Sequence, residues 1–541
     1  MKSLQLYFGT FAIEMEIYCK FIADWIKEFL GGTPEVALPN DWFSSNEILS
    51  YAEIRRSSKF ENVDKTSWKD LNFDRYVSLI AGNGSILAKQ IICKRIIYGQ
   101  SAEDIKEYIN WHLEAGMYAT SLIGPRCKPL QKISHDLVPA IFLEHLPKIP
   151  VTTRMVVFYV GLLILSATAA FLGTPSLGAL GAFAAFLFYA TVTVRTFADY
   201  CNWTRLQDSL TRLLIVAEDL MRPDIAGYLR TKEEVGEWRT EIASIRRRIS
   251  PPVSSGIFIV GDYIQMFTLR NHWQAHKKLS IVRENMSFFE AVFKFVANSE
   301  ADFVLYEHIR QNSTYISWRK QSLFKEFRFD DLLNPNELGG EPMSVNCAGT
   351  GAFITGANGA GKSTLLRGLA MNFAIGNSLG FCYAKYACIP NAPVRTSMVG
   401  SDEPIAGLSL YMSEMLRTSE ILSDVQARVC VCFFDEIFKG TNYVESLACA
   451  AAILRYLEVN AIAIFSSHHI ELGEYISRKF DRFRLIKEGG RVLEAGIISK
   501  TNGIAMMAEF NIPKSIIFDA ETISTHMTTK LARTNSGVSL P

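Results

Sequence analysis

No two cysteines in this chain sit at CxxC spacing. The ten cysteines are scattered over 541 residues, and Cys430 and Cys432 lie one residue apart in an apolar run, where small thiols pack as buried side chains. This excludes a zinc ribbon and points to a reducing compartment, without disulfides or a metal cluster. Net charge is lacking too. Fifty-six Lys+Arg against 55 Asp+Glu leave +1, so the whole molecule has no electrostatic bias toward nucleic acid, and such affinity has to come from a local patch. Internal repeats and low-complexity tracts are absent. His272 and His276, four apart on an expected helix, have no acidic or Cys partner nearby and read as a surface pair rather than zinc ligands.

The longest absence is of polar side chains. From Met155 to Val194, forty residues pass without one Asp, Glu, Lys, Arg, His, Asn or Gln. Gly173-Thr174-Pro175-Ser176 divides this stretch into two apolar runs of eighteen residues. Each run spans about 27 Å as a helix, enough for a bilayer core, and the tight turn makes a transmembrane helical hairpin. Lys148 and Arg154 flank its entry and Arg195 and Arg205 its exit, whereas the turn is uncharged. The positive-inside rule then places both chain ends in the cytoplasm, in a two-helix membrane protein. Small residues such as Gly161, Ser166, Gly178 and Gly181 suit close helix packing in lipid. The alternative is a buried helical hairpin in a soluble core; a cleaved signal peptide is excluded by the mid-chain position.

The rest divides by pattern. Residues 1–50 read as an N-terminal amphipathic helix, rich in aromatics from Tyr7 to Phe29 and ending at Gly31-Gly32, followed by a linker over 33–50. Residues 51–150 and 199–325 read as helical segments on either side of a hairpin over 151–198, and 526–541 as a polar tail. Arg246-Arg247-Arg248 is the densest basic spot, a solvated helix face or a contact for phosphates or anionic lipid.

Residues 326–525 carry the chemistry. Gly351–Thr355 is a short apolar strand running into Gly356-Ala357-Asn358-Gly359-Ala360-Gly361-Lys362-Ser363-Thr364, the phosphate-cradling loop of a nucleotide triphosphatase. Its glycines let successive N–H groups converge on phosphate oxygens, and the following helix adds the positive end of its dipole. Lys362 reaches the β/γ-phosphates and Ser363 ligates Mg2+ in such a loop. Downstream, the apolar run Val429–Phe434 ends in Asp435-Glu436, which aims one carboxylate at the magnesium shell and one at the attacking water. The run Ala461–Phe465 ends in Ser466-Ser467-His468-His469, setting His468 at a sheet edge as a candidate γ-phosphate sensor, with a satisfied surface histidine as the alternative on these residues alone.

Four ordered stretches, Thr355–Thr364, Gly407–Met415, Asp435–Asn442 and Ser467–Leu472, resemble the ATPase domain of the MutS family of DNA mismatch-repair proteins. The likeness continues through Asn502 to Ala520, similar to that family's dimerisation segment, and upstream from Thr66 to Gly84, similar to the opening of its helical core. The resemblance implies an α/β P-loop ATPase domain at the C-terminus, preceded by an all-α core and lever region. It assigns ATP and Mg2+ as cofactors, the phosphates to Gly356–Thr364, the adenine pocket to the segment with Asn346, magnesium to Ser363 and Asp435, and catalysis to Glu436, His468 and Lys362. Ser409 opens the signature that meets the partner subunit's nucleotide, which implies a homodimer through the ATPase domain.

The departures are equally specific. No N-terminal Phe-x-Glu wedge for reading mismatches is found, and Phe288-Phe289-Glu290 fits helical core packing. Leu410 replaces the threonine usual after the signature serine, and Phe438-Lys439 the usual small-plus-arginine pair. The hairpin over 155–194 stands where lever and clamp arms would extend. The expectation is a membrane-anchored, MutS-like ATPase whose closure moves helical levers, with DNA as a further partner the resemblance allows. A DNA clamp proper is the alternative; a transporter ATPase lacks support, since the Leu-Ser-Gly-Gly-Gln signature is absent.

Overall fold

The computed structural model describes residues 45–54, 61–82, 84–99, 102–115, 118–222, 225, 235–251, 269–322, 325–398, 410–438, 441–486, 491–498, 503–504, 507, 510 and 512–535. The amphipathic stretch expected over 1–30 and the signature residues Gly407–Ser409 lie outside the described residues.

The helical region opens with α1 (Ser45–Ile54), so the stretch expected as linker is helical from Ser45. It continues through α2 (Lys65–Asp70), α3 (Phe73–Ala81), α4 (Ile86–Tyr98), α5 (Ala102–Ala115), α6 (Tyr118–Cys127) and α7 (Leu137–Phe142). Local chemistry sets the boundaries. Asp64 caps α2 by accepting from the Ser67 N–H at 3.1 Å, and Ser85 caps α4 by accepting from the Leu87 N–H at 3.1 Å. Gly99 ends α4 at a φ of 65°, a left-handed position that glycine takes without penalty.

The uncharged stretch forms α8 (Thr153–Phe171) and the first half of α9 (Pro175–Leu220). Pro175 starts α9 where a missing N–H costs nothing, and Thr174 Oγ1 donates to Ala169 O at 2.7 Å to close the turn. Ser166 Oγ donates to Gly178 O at 2.5 Å across the pair. A Cβ added at Gly178 would lie 2.8 Å from Ala170 Cβ, so the helices approach as closely as small residues permit. Their outer faces are bare: Phe158, Leu165, Phe171, Leu180 and Phe186 are 59%, 67%, 91%, 65% and 60% exposed. Most of this apolar surface is therefore not covered by the rest of the described chain.

The expected boundary at 198/199 is not a helix end. α9 continues to Leu220, 46 residues in all or roughly 69 Å, and its second half buries Trp203, Leu210, Leu213 and Leu214 in the helical core. One rigid rod therefore joins the apolar hairpin to the core. Around it pack α10 (Val235–Ile249), α11 (Arg270–Glu284) and α12 (Met286–Gln311). On α10, Arg246 donates to Glu218 at 2.9 Å, so part of the basic triplet is already paired. His272 and His276 do not form a surface pair: α11 lies against both hairpin helices, His272 is buried with its ring stacked on Tyr200 (centroids 4.7 Å), and His276 Nδ1 is 2.8 Å from Ile149 O. Phe289 is fully buried and Glu290 pairs with Lys294 at 2.6 Å, which puts Phe288–Glu290 in the packed helical region.

Short strands β1 (Ser317–Trp318) and β2 (Lys320–Gln321) begin the α/β part before residue 326. β3 (Phe327–Leu332), β4 (Met343–Cys347) and β5 (Gly351–Gly356) lead into α13 (Lys362–Leu379), followed by β6 (Phe381–Cys382), β7 (Tyr386–Ile389) and β8 (Val394–Met398). Then come α14 (Leu410–Ala427), β9 (Val431–Asp435), α15 (Tyr443–Asn460), β10 (Ile462–Ser466), α16 (Leu472–Tyr475), β11 (Phe480–Ile486), β12 (Val492–Ala495) and α17 (Lys514–Asn535). Six strands form one sheet in the order β12-β11-β5-β10-β9-β8, parallel except for β12; β2-β7-β3-β4 form a smaller sheet, and β1 pairs with β6.

Both faces of the large sheet are covered, which explains its unbroken apolar strands. Ile354, Phe433 and Ile464 join the core on the α13 side, whereas Phe353, Phe434 and Phe465 pack with Ile421 of α14 and Leu454 of α15. The α13 side is continuous with the helical region. There Tyr76 of α3 and His308 of α12 both bond the Tyr383 hydroxyl, at 3.1 and 2.7 Å, through a buried polar chain.

Candidate nucleotide site

β5 is buried along its whole length between β10 and β11, and its carboxyl end releases the chain into the loop Gly356–Gly361. Gly359 and Gly361 take φ values of 73° and 101°, which side-chain-bearing residues rarely adopt. Asn358 and Gly359 are exposed at the tip, while Ala360 is buried and Ala357 half-buried. Lys362 is the first residue of α13; its ammonium folds back over the loop and donates to Gly356 O at 2.8 Å and Ala357 O at 3.2 Å. Ser363 and Thr364 follow in the first helical turn, half-buried. The loop thus gathers an ammonium, a hydroxyl and a helix N-terminus at one sheet edge.

The second half of the site comes from strands next to β5. In parallel register Ser466 pairs with both Ile354 of β5 and Asp435 of β9, so β9 and β10 end level with each other and β5 runs two residues further into the loop. Asp435 is buried, and Ser466 Oγ donates to its Oδ1 at 2.6 Å. Glu436 turns away at a φ of 59°, its N–H donating to Ser466 O at 3.2 Å, and its carboxylate is paired with His468 Nε2. Phe438, also at 59°, is fully buried and anchors this turn. His469 points elsewhere: its ring meets Tyr443 edge-on at 4.8 Å, and burial lowers its pKa. Catalytic candidates Lys362, Glu436 and His468 therefore share the carboxyl edge of one sheet.

The donor set suits magnesium. Asp435 is a buried carboxylate bonded to a neutral hydroxyl rather than to a cation, and Ser363 offers a second hard oxygen. Among the described residues no cluster of three His, Cys, Asp or Glu exists; an ion held by one or two protein oxygens plus phosphates does not need one. The nine described cysteines are free.

Other expected residues are placed less directly. Asn346 is exposed on β4 in the smaller sheet, opposite Arg328, while Met343 of the same strand lines a narrow cleft with Thr364, Gly368 and Arg491. Arg491 was not legible from the sequence. It immediately precedes β12, and a Cβ added at Gly361 would lie 3.2 Å from its guanidinium, so a second cation flanks the phosphate loop. Only the strand order brings residue 491 beside residue 361. A wider cleft of about 390 Å³ adjoins the narrow one, sharing Asn334 and Thr364, and is lined further by Lys69, Asp70, Arg75 and Arg367.

Fold and site together define a P-loop nucleotide-binding α/β domain joined to a helical region. Residues 352–528 match the family model MutS domain V, an ATPase-type α/β domain, which here stands at the C-terminal end behind helices. The chain is 33% identical over 201 residues to the DNA mismatch repair protein MutS of Sorangium cellulosum, covering 35% of this chain and 21% of that protein. It is 30% identical over 231 residues to DNA mismatch repair protein MutS 2 of Haloarcula marismortui, covering 37% and 24%, and 30% identical over 185 residues to the MutS of Leuconostoc mesenteroides, covering 32% and 21%. These matches support a MutS-family member, and the chain spans about a fifth to a quarter of the length of these curated relatives.

Proposed function

We propose that this chain is a membrane-anchored, dimeric MutS-type ATPase that binds and hydrolyses Mg-ATP and couples closure of its nucleotide domain to the helical region. The observation that carries the reading is the arrangement of Lys362, Asp435, Glu436 and His468 along one sheet edge. ATP phosphates lie along Gly356–Thr364, and the Lys362 ammonium exchanges its two carbonyl partners for β/γ-phosphate oxygens. Asp435 and Ser363 would hold magnesium, which would neutralise charge developing on the phosphoryl oxygens. Glu436, held by His468, orients the attacking water and accepts its proton. The test is nucleotide binding and turnover by purified variants. Lys362→Ala loses binding, whereas Glu436→Gln retains binding and loses hydrolysis; hydrolysis at the wild-type rate by both sinks the assignment.

Membrane anchoring is supported by the exposed apolar faces of α8 and α9, which are long and apolar enough to cross a bilayer. The flanking cations at residues 148, 154, 195 and 205 favour a cytoplasmic ATPase. Dimerisation rests on the resemblance of Ser409 and of the C-terminal segment to the MutS signature and dimer regions. DNA binding belongs to the same family reading; Arg246, the leading residue of the basic triplet, is paired with Glu218 and gives it no added support.

A further inference from the structure

We propose that the base of the hairpin is a binding surface for anionic phospholipid headgroups, formed by Arg154, Arg195, Arg270 and Lys277; this rests on the membrane reading above. The hairpin fixes the level of two of these cations. Ser166 contacts Gly178 across the pair and Tyr159 stacks near Phe188 and Tyr189, with centroids at 6.3 and 6.2 Å. The same antiparallel register, carried about five residues toward the base, sets Arg154 beside residues 192–194, next to Arg195.

α11 brings the other two. Its first fourteen residues contain Arg270, Lys277, Lys278 and Arg283 and no carboxylate; Glu284 closes the helix. Trp273 Nε1 donates to Thr153 Oγ1 at 3.0 Å, at the first residue of α8, and His272 stacks on Tyr200 of α9. α11 is thus pinned across both hairpin helices where they leave the apolar zone. Lys277 Nζ sits 3.8 Å above the Trp273 ring, an amphipathic pair of the kind that occupies the headgroup level.

The four side chains are exposed, and among the described residues none has a carboxylate within ion-pair distance. The nearest acid along α9 is Asp199, one turn beyond Arg195. By contrast, Lys278 is engaged, donating to Ser250 O at 2.7 Å. Unpaired cations around an interfacial Trp complement phosphate-bearing, negatively charged lipid, and guanidinium groups match phosphate oxygens two at a time.

The test reconstitutes the full chain in phosphatidylcholine vesicles with trace spin-labelled phosphatidylglycerol or phosphatidylcholine and compares the motionally restricted fractions. The expected preference for the anionic label is about fivefold, the increment for one fully engaged cation. Arg154→Gln/Arg195→Gln/Arg270→Gln/Lys277→Gln abolishes it, the same three arginines changed to Lys retain it, and Arg247→Gln/Arg248→Gln leaves it intact. No preference in inserted wild-type chain, or equal loss in the Arg247/Arg248 variant, overturns the proposal. A chain that restricts neither label has not entered the bilayer, which overturns the membrane reading itself.

Discussion

Arg417 of α14 donates to both carboxylate oxygens of Asp64, at 2.6 and 3.2 Å, and joins the ATPase domain to the N-cap of α2 across 353 residues. The same guanidinium donates to Thr396 O at 2.8 Å and Ser67 Oγ at 3.2 Å, while Asp70 at the other end of α2 accepts from Thr396 Oγ1 and the Met398 N–H. A six-residue helix therefore grips both β8 and α14. Arg417 is 10% and Asp64 20% exposed, so breaking the pair leaves a largely buried charge. Arg417→Ala is expected to cost about 3 kcal/mol, read as a lowered unfolding midpoint. Burial alone would raise the Asp64 pKa, but Arg417 and Ser67 outweigh it and hold the group below its ordinary value. Its stabilisation is therefore present above about pH 4 and lost as pH falls through the folded value. Asp64→Asn should flatten that acid limb.

His308 gives a second, separate pH dependence. Burial lowers its pKa from 6.5 to about 4, so the folded state holds it neutral against the Tyr383 hydroxyl. A depressed histidine contributes stability that is complete above about pH 6.5 and falls as pH drops toward 4. The full effect is about 3 kcal/mol at most. Thermal melts of His308→Gln between pH 7 and 4.5 should fall less steeply than those of wild type; parallel curves would show that His308 does not titrate in this window.

The hairpin seam predicts an asymmetry between two glycines of the same apolar stretch. A side chain at Gly178 meets Ala170 and Ser166 at 2.8–3.0 Å, at 2.8 Å from Ala170 Cβ and 3.0 Å from Ser166 O, whereas one at Gly161 meets nothing within 4 Å. Gly178→Val should destabilise the detergent-solubilised protein by about 1–3 kcal/mol and Gly161→Val hardly at all. Equal melting temperatures for the two variants would contradict the packing.

Ser466, on the strand between β5 and β9, orients the Asp435 carboxylate that is proposed to hold magnesium. Ser466→Ala removes the 2.6 Å bond to Asp435 without touching the phosphate loop. The Mg2+ concentration for half-maximal turnover should rise about tenfold, with the rate at saturating Mg2+ largely kept. An unchanged Mg2+ requirement would leave Asp435 without a metal role.

What the sequence made legible was local. The phosphate loop, the carboxylates ending β9 and the apolar hairpin are each written in consecutive residues, and each reading needs only a period or a spacing. Contacts distant in sequence were not legible. The continuation of α9 beyond Val194 is hidden because charges at Arg195 and Asp199 look like an exit, although the core stripe from Trp203 to Leu214 keeps the helix going. His272 looked exposed until α11 packed on Tyr200, and Arg491 gained meaning only when β11 and β12 were laid beside β5. Pairs such as Asp64 and Arg417 carry no spacing signal at all.

The most direct measurement is ATP turnover by the chain recovered from carbonate-washed membranes, affinity-purified in detergent, for wild type and Glu436→Gln. The account predicts that nearly all the protein resists the wash, that wild type hydrolyses Mg-ATP, and that Glu436→Gln binds it without turnover. Protein released by the wash, or hydrolysis that survives loss of the Glu436 carboxylate, would contradict it.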